Sequence, residues 1–109
     1  MSQVPLATRQ QVIDRDGKRC LRCSSPAWLT IHHRKGRGGS NPHTAENCVL
    51  LCQVCHEHIH RNPQESYTDG WMIRRLGDDD PAEIPIRTPH GLLWLTDDGG
   101  AIHVGRSRP

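Results

Sequence analysis

The sequence predicts a small α+β domain whose hydrophobic core needs support from another source. Its 109 residues fit one domain, which we divide into an N-terminal helix (1–19), a central segment (20–62) and a C-terminal extension (63–109). Only 34% of the residues are hydrophobic, and there is no Phe. Two Cys-x-x-Cys pairs, with histidines between and just after them, fall within the central segment. Metal coordination is therefore the expected source of additional stability.

The first predicted element is a short helix. Thr8–Gln11 has the spacing of a capping box, in which a Thr hydroxyl and a Gln side chain bond the free amides at a helix start. Gly17 is expected to end the helix, because glycine readily takes the left-handed conformation found there. Leu6, Val12 and Ile13 are expected to face the core.

The central segment reads as strand, loop and helix. Trp28–Ile31 is β-prone and leads into His32-His33, and residues 36–42 are rich in glycine and end in proline. Val49–Leu51 is too short to classify by periodicity. Gln53–Arg61 reads as one or two helical turns that stop before a proline.

The C-terminal extension has no cysteine and a different composition. Leu92–Leu95 and Ala101–Val104 flank an Asp-Asp-Gly-Gly turn, which predicts a β-hairpin. We expect this hairpin to be an appendage to the central segment and, together with Trp71, to complete the core.

Charge and compartment narrow the choice of partner. The net charge of +2 is only mildly basic, but Arg34, Lys35 and Arg37 form a local cluster without acids that is expected to contact phosphates. The N-terminal residues have no continuous apolar stretch, and no run approaches the ~18 apolar residues of a membrane helix. We therefore expect a cytoplasmic protein without a membrane partner.

The cysteine pairs predict a structural zinc site. Two residues of spacer allow both sulfurs of a pair to reach one ion, and two such pairs complete a tetrahedral site. In a reducing compartment this pattern favours thiolate ligands over disulfides. The predicted ligands are Cys20, Cys23, Cys52 and Cys55, while Cys48 lies outside both pairs and is predicted to be a core thiol.

A second metal site is predicted from histidines. His56 and His60 are one helical turn apart, so they share a face and can hold one ion together. Histidine also titrates near neutral pH, which suits it to act as a general base. The remaining histidines are expected to lie on the surface: His43, His58, His90 and His103.

The order of these motifs resembles that of a known family. CLRC, TIHHRKGRGGS and ENCVLLCQVCHEHIH together resemble an HNH endonuclease of the zinc-stapled kind, over approximately residues 20–60. The resemblance implies a ββα-metal (HNH/His-Me finger) core. In that core a strand carries His32 and His33, a loop and a second strand reach Asn47, and a helix carries His56 and His60.

The resemblance also implies a role for each residue. His33 matches the general base that activates water, and Asn47 matches the residue whose amide pins the loop and so orients the base. His32 and His56 match ligands of a catalytic Mg²⁺, Mn²⁺, Ni²⁺ or Zn²⁺, and His60 matches a further ligand found in some members. The implied reaction is hydrolysis of DNA to 5′-phosphate and 3′-hydroxyl ends.

Two alternatives remain open on the sequence. His56–His60 also matches H-E-x-x-H, in which Glu57 would be the base of a zinc metalloprotease. A non-catalytic zinc module that binds nucleic acid or protein would use the cysteines and the basic loop equally well. In size the chain resembles small stand-alone HNH proteins of tailed bacteriophages, which implies terminase subunits as partners in DNA packaging within the host cytoplasm.

Overall fold

The computed structural model describes residues 4–36 and 41–104 and has a small α+β fold, as predicted. Three α-helices lie in the described ranges: α1 (Leu6–Arg15), α2 (Gln53–Arg61) and α3 (Pro63–Asp69). The same ranges contain five strands: β1 (Leu29–His33), β2 (Cys48–Cys52), β3 (Ile86–Thr88), β4 (Gly91–Leu95) and β5 (Ala101–Val104). The described ranges also contain two short 3₁₀ turns, Ala45–Asn47 and Pro81–Glu83.

Helix α1 begins earlier than its sequence predicts. Pro5 precedes the first turn and no side chain caps it, so the predicted capping box at Thr8–Gln11 is wrong. Gly17 takes the left-handed conformation with φ 74°, as expected for the residue after a helix end. Val12 is fully buried, as predicted. Leu6 was predicted to face the core, but it is 73% exposed, so that prediction is wrong.

Strands β1 and β2 form a two-stranded antiparallel sheet that separates two layers of side chains. Alternate residues of a strand point to opposite faces. On one face Ile31 packs with Cys48 and Leu50 beneath α1. On the other face Val49 and Leu51 pack with α2 and the C-terminal extension. The sheet is therefore covered on both sides, and its strands carry the residues of the site.

Helix α2 spans the predicted residues. Its first turn is capped by Cys52, whose sulfur accepts a hydrogen bond from the amide of Cys55. Helix α3 follows at once and starts with Pro63, whose missing N–H costs nothing in a first turn. Gly70 ends α3 with φ 84°, and a Cβ placed there would lie 2.1 Å from the carbonyl oxygen of Pro85.

The C-terminal extension shares the core of the central segment. Strands β3, β4 and β5 form an antiparallel sheet in that order, so the predicted hairpin is present with one further strand beside it. Ile86, Leu93 and Leu95 are buried in the same cluster as Trp71 and Leu51. The hairpin thus completes the core. Within the described ranges, no helix combines the length and apolar character needed to cross a membrane.

Candidate active site

Three histidines from two elements converge at one point. His56 and His60 lie one turn apart on α2, and their Nε2 atoms are 3.2 Å apart. His32 comes from β1, and its ring centroid lies 5.2 Å from that of His56 and 5.6 Å from that of His60. One ligand atom from each of the three lies within 4.8 Å of the others. This separation suits coordination of one ion by three imidazoles, a set that leaves positions open for other ligands.

The hydrogen bond of His32 fixes which nitrogen can bind a metal. Its Nε2 lies 2.8 Å from the carbonyl oxygen of Trp71. A carbonyl only accepts, so Nε2 carries the proton and Nδ1 holds the lone pair. Burial lowers the pKa of His32 to about 4, even though the bond to Trp71 opposes the shift. The ring is therefore neutral at physiological pH, as a metal ligand must be.

His33 points to the opposite face of β1 and is only half-buried. Its Nε2 lies 3.0 Å from Nδ1 of His43, and the two ring centroids are 5.0 Å apart. His43, predicted to lie on the surface, is half-buried and packs its ring against His33. No local pattern signals this contact, since it joins a strand to a loop that returns beside it.

Asn47 closes the loop that joins β1 to β2. Its Oδ1 accepts from the amide of Lys35 at 2.8 Å, and its Nδ2 donates to the carbonyls of Lys35 at 2.8 Å and Pro42 at 2.9 Å. The backbone carbonyl of Asn47 also accepts from the amide of Arg34 at 2.8 Å. The buried side chain thus clamps both ends of the loop directly after His33.

The four paired cysteines form a second cluster, which joins the segment before β1 to the start of α2. Their sulfurs lie within 4.8 Å of one another, and those of Cys23 and Cys52 are 3.6 Å apart. Tetrahedral zinc with Zn–S bonds of about 2.3 Å places sulfurs about 3.8 Å apart, so the spacing fits. Burial opposes ionisation of Cys52, but the Cys55 amide and the neighbouring thiols lower its pKa to about 7. The donor set suits a structural metal.

Cys48 stands apart from this cluster, as predicted. It is fully buried on the α1 face, and burial raises its pKa to about 12. His90 and His103 are exposed, in agreement with their predicted surface positions. His58 is half-buried, and its Nε2 lies 3.1 Å from the Glu65 carboxylate at the surface.

The predicted phosphate contact by Arg34 is wrong. Arg34 is only 2% exposed, and its guanidinium donates to four backbone carbonyls. Burial lowers its pKa to about 9, which still leaves it charged at neutral pH. The carbonyls belong to residues distant in sequence, so this side chain ties the C-terminal extension to the central segment: Glu46, Gly70, Pro81 and Ile84.

Of the other two residues predicted to contact phosphate, the structure describes Lys35. The amine of Lys35 donates to the carbonyls of Gly77 and Asp79, both at 2.9 Å. It lines a pocket together with four carboxylate residues: Glu46, Asp78, Asp79 and Asp80. Arg37 lies outside the described residues.

The central segment was compared with models of known protein families. Residues 20–62 match the family model for the HNH endonuclease. This segment is an HNH endonuclease domain. The match contains both metal-binding clusters as well as His33 and Asn47. Comparison with curated proteins and with solved structures found no match. The HNH domain supports a nuclease with a nucleic-acid substrate.

The HNH domain also accounts for the H-E-x-x-H pattern. Glu57 is exposed, and its carboxylate accepts a hydrogen bond from Gln53 at 3.2 Å. The third imidazole beside His56 and His60 comes from strand β1. In a protease of this motif, Glu57 would be the general base beside the metal. Here the third histidine comes from strand β1, which also carries His33.

Proposed function

We propose that the protein is a metal-dependent endonuclease that hydrolyses DNA phosphodiester bonds. The observation that carries the proposal is the convergence of His32, His56 and His60 on one point, with His33 next to His32 on strand β1. A divalent ion held by these three imidazoles would neutralise charge on the phosphate and on the departing 3′ oxygen.

In this proposal His33 is the general base. It accepts a proton from water, whose oxygen attacks phosphorus while the bond from phosphorus to the 3′ oxygen breaks. The departing 3′ oxygen takes a proton from solvent water, so the products carry a 5′-phosphate and a 3′-hydroxyl. The half-buried position of His33 supports this role, because a base for water needs access to solvent as well as a fixed orientation.

Asn47 and His43 act as positioning residues. The Asn47 side chain clamps the backbone immediately after His33, through its bonds to Lys35 and Pro42. His43 contacts the His33 ring itself. Both interactions restrict the orientation of the base before substrate binds.

The four paired cysteines hold a structural zinc in this proposal. Zinc is favoured because four thiolates in tetrahedral spacing leave no open position for chemistry. The site links the turn before β1 to the start of α2, so it fixes the strand and the helix that carry the histidines.

A plasmid assay tests the proposed function. Supercoiled plasmid is incubated with the zinc-loaded protein and Mg²⁺, Mn²⁺ or Ni²⁺, and nicked and linear forms are quantified. We expect cleavage that a chelator abolishes and that His33→Ala lowers roughly 10²- to 10⁴-fold. His90→Ala removes an exposed histidine and serves as the matched control.

The outcomes also separate the alternatives. Absence of cleavage with every metal, together with retained DNA binding, would favour the non-catalytic zinc module and refute the nuclease. Peptide hydrolysis that is lost in Glu57→Gln would favour the protease. Phage terminase partners and action in a host cytoplasm stay predictions, which co-purification with terminase subunits would test.

A further inference from the structure

We propose that a groove beside His33, lined by Arg9 and Lys18, binds the nucleic-acid backbone next to the phosphate that is cut; this inference rests on the proposed function. The groove has a volume of about 420 Å³. Its lining comes from α1, from residues just before and after α1, and from strands β1 and β2: Val4, Arg9, Ile13, Lys18, Leu29, Thr30, Ile31, His33 and Leu50.

The proposed general base, His33, is among the residues that line the groove. His33 and Ile31 line it from β1, while Arg9 and Lys18 line it from the α1 side. Strand β1 has five residues and spans about 13 Å, which is room for roughly four nucleotides at 3.4 Å of axial rise each. A backbone lying along the groove therefore reaches His33 at its end.

Charge complementarity identifies the occupant. Arg9 and Lys18 are both exposed, and within residues 4–36 and 41–104 neither side chain makes a hydrogen bond or ion pair. No Asp or Glu is among the residues that line the groove. Two cations over an aliphatic floor match the phosphates and sugar carbons of a nucleic-acid backbone.

The opposite side of the loop is unsuited to phosphate. There Arg34 is buried, and the amine of Lys35 donates to two carbonyls in a pocket lined by carboxylates. Phosphates brought to that pocket would face Asp78, Asp79 and Asp80. The structure thus directs the backbone to the α1 side of His33, whereas the sequence places it along residues 34–37.

The test measures binding of a fluorescein-labelled DNA duplex by anisotropy over a range of KCl concentrations. The protein carries its structural zinc and receives no further divalent ion, so no cleavage is needed for the readout. The Arg9→Gln/Lys18→Gln double variant should lower the salt slope of log affinity by about 1.8, and lower affinity at 0.1 M salt roughly sixty-fold. Arg9→Lys/Lys18→Arg keeps both charges and should bind like the wild type.

A matched control removes the same net charge elsewhere. Arg74→Gln/Arg87→Gln changes two exposed cations of the C-terminal extension, which stack on Tyr67 and pair with Asp69 respectively. It should leave the salt slope unchanged. An unchanged slope in the groove variant overturns the inference, as does an equal loss in the control variant.

A second measurement does not depend on any variant. The chain contains only two lysines, Lys18 and Lys35, so acetylation of each can be followed by mass spectrometry with and without duplex. Protection of Lys18 supports the groove, and full reactivity of Lys18 under saturating duplex refutes it.

The outcomes distinguish this inference from the proposed function. If the wild-type protein binds duplex but does not cleave plasmid, only the proposed function is refuted. If the wild-type protein cleaves plasmid but the Arg9→Gln/Lys18→Gln variant keeps the wild-type salt slope, only this inference is refuted. If the protein neither binds nor cleaves DNA, both proposals are refuted.

Discussion

Replacing Arg34 tests whether this cation stabilises the fold or contacts phosphate. Arg34→Met keeps most of the side-chain volume but removes the donors to Glu46, Gly70, Pro81 and Ile84. Each buried carbonyl that loses its partner costs about 1–3 kcal/mol. Removing the cost of burying the charge offsets part of that sum. We therefore expect the free energy of unfolding to fall by about 3–5 kcal/mol.

Urea unfolding at fixed zinc concentration, followed by tryptophan fluorescence to which buried Trp71 contributes, measures this loss. Arg34→Lys should be intermediate, because one ammonium keeps the charge without the planar array of donors. Arg19→Met is the matched control, since Arg19 is exposed and makes a single bond of 3.4 Å to the Ser24 carbonyl. Stability within 1 kcal/mol of wild type, combined with weaker DNA binding, would refute the assignment of Arg34 to the core.

Three further predictions concern the site and its supports. His43→Ala should lower kcat about tenfold with little change in KM, because it releases the His33 ring; equal effects of His90→Ala would contradict this. Gly70→Ala should lower the free energy of unfolding by about 2–4 kcal/mol in the same urea assay, because it adds a clash at a positive φ; an unchanged midpoint would contradict it. Cys23→Ser should lower bound zinc per chain and Tm by roughly 20 °C, measured by metal analysis and calorimetry; a full zinc content would remove Cys23 from the ligand set.

The parts of the site that sequence predicts are those set by local spacing. His56 and His60 share a face because they are one turn apart, and a Cys-x-x-Cys pair chelates wherever it lies. Helix α2 follows from the same short-range pattern and has its predicted bounds. Local rules thus suffice to find both clusters, although they do not show that His32 reaches the same point as the helix.

The parts that sequence misses depend on contacts between distant residues. Arg34 belongs to a basic run, which is typical of a solvated loop, yet four carbonyls from separate turns surround it. His43 meets His33 only because the loop returns beside β1. No periodicity in the sequence encodes either of these two contacts. The start of helix α1 is a local feature instead, since Pro5 is its N-cap and the helix therefore begins before the apparent capping box.

The register of β1 against β2 explains how two consecutive histidines take different roles. His32 pairs with Val49 and turns towards α2, where burial keeps it neutral beside His56. His33 pairs with Cys48 and turns towards the α1 side, where it lines the groove. A slip of one residue would exchange the two faces, placing His33 among the proposed metal ligands and His32 in the groove. The clamp of Asn47 on the backbone after His33 opposes that slip, so in the proposed function Asn47 acts through strand register as well as through the loop.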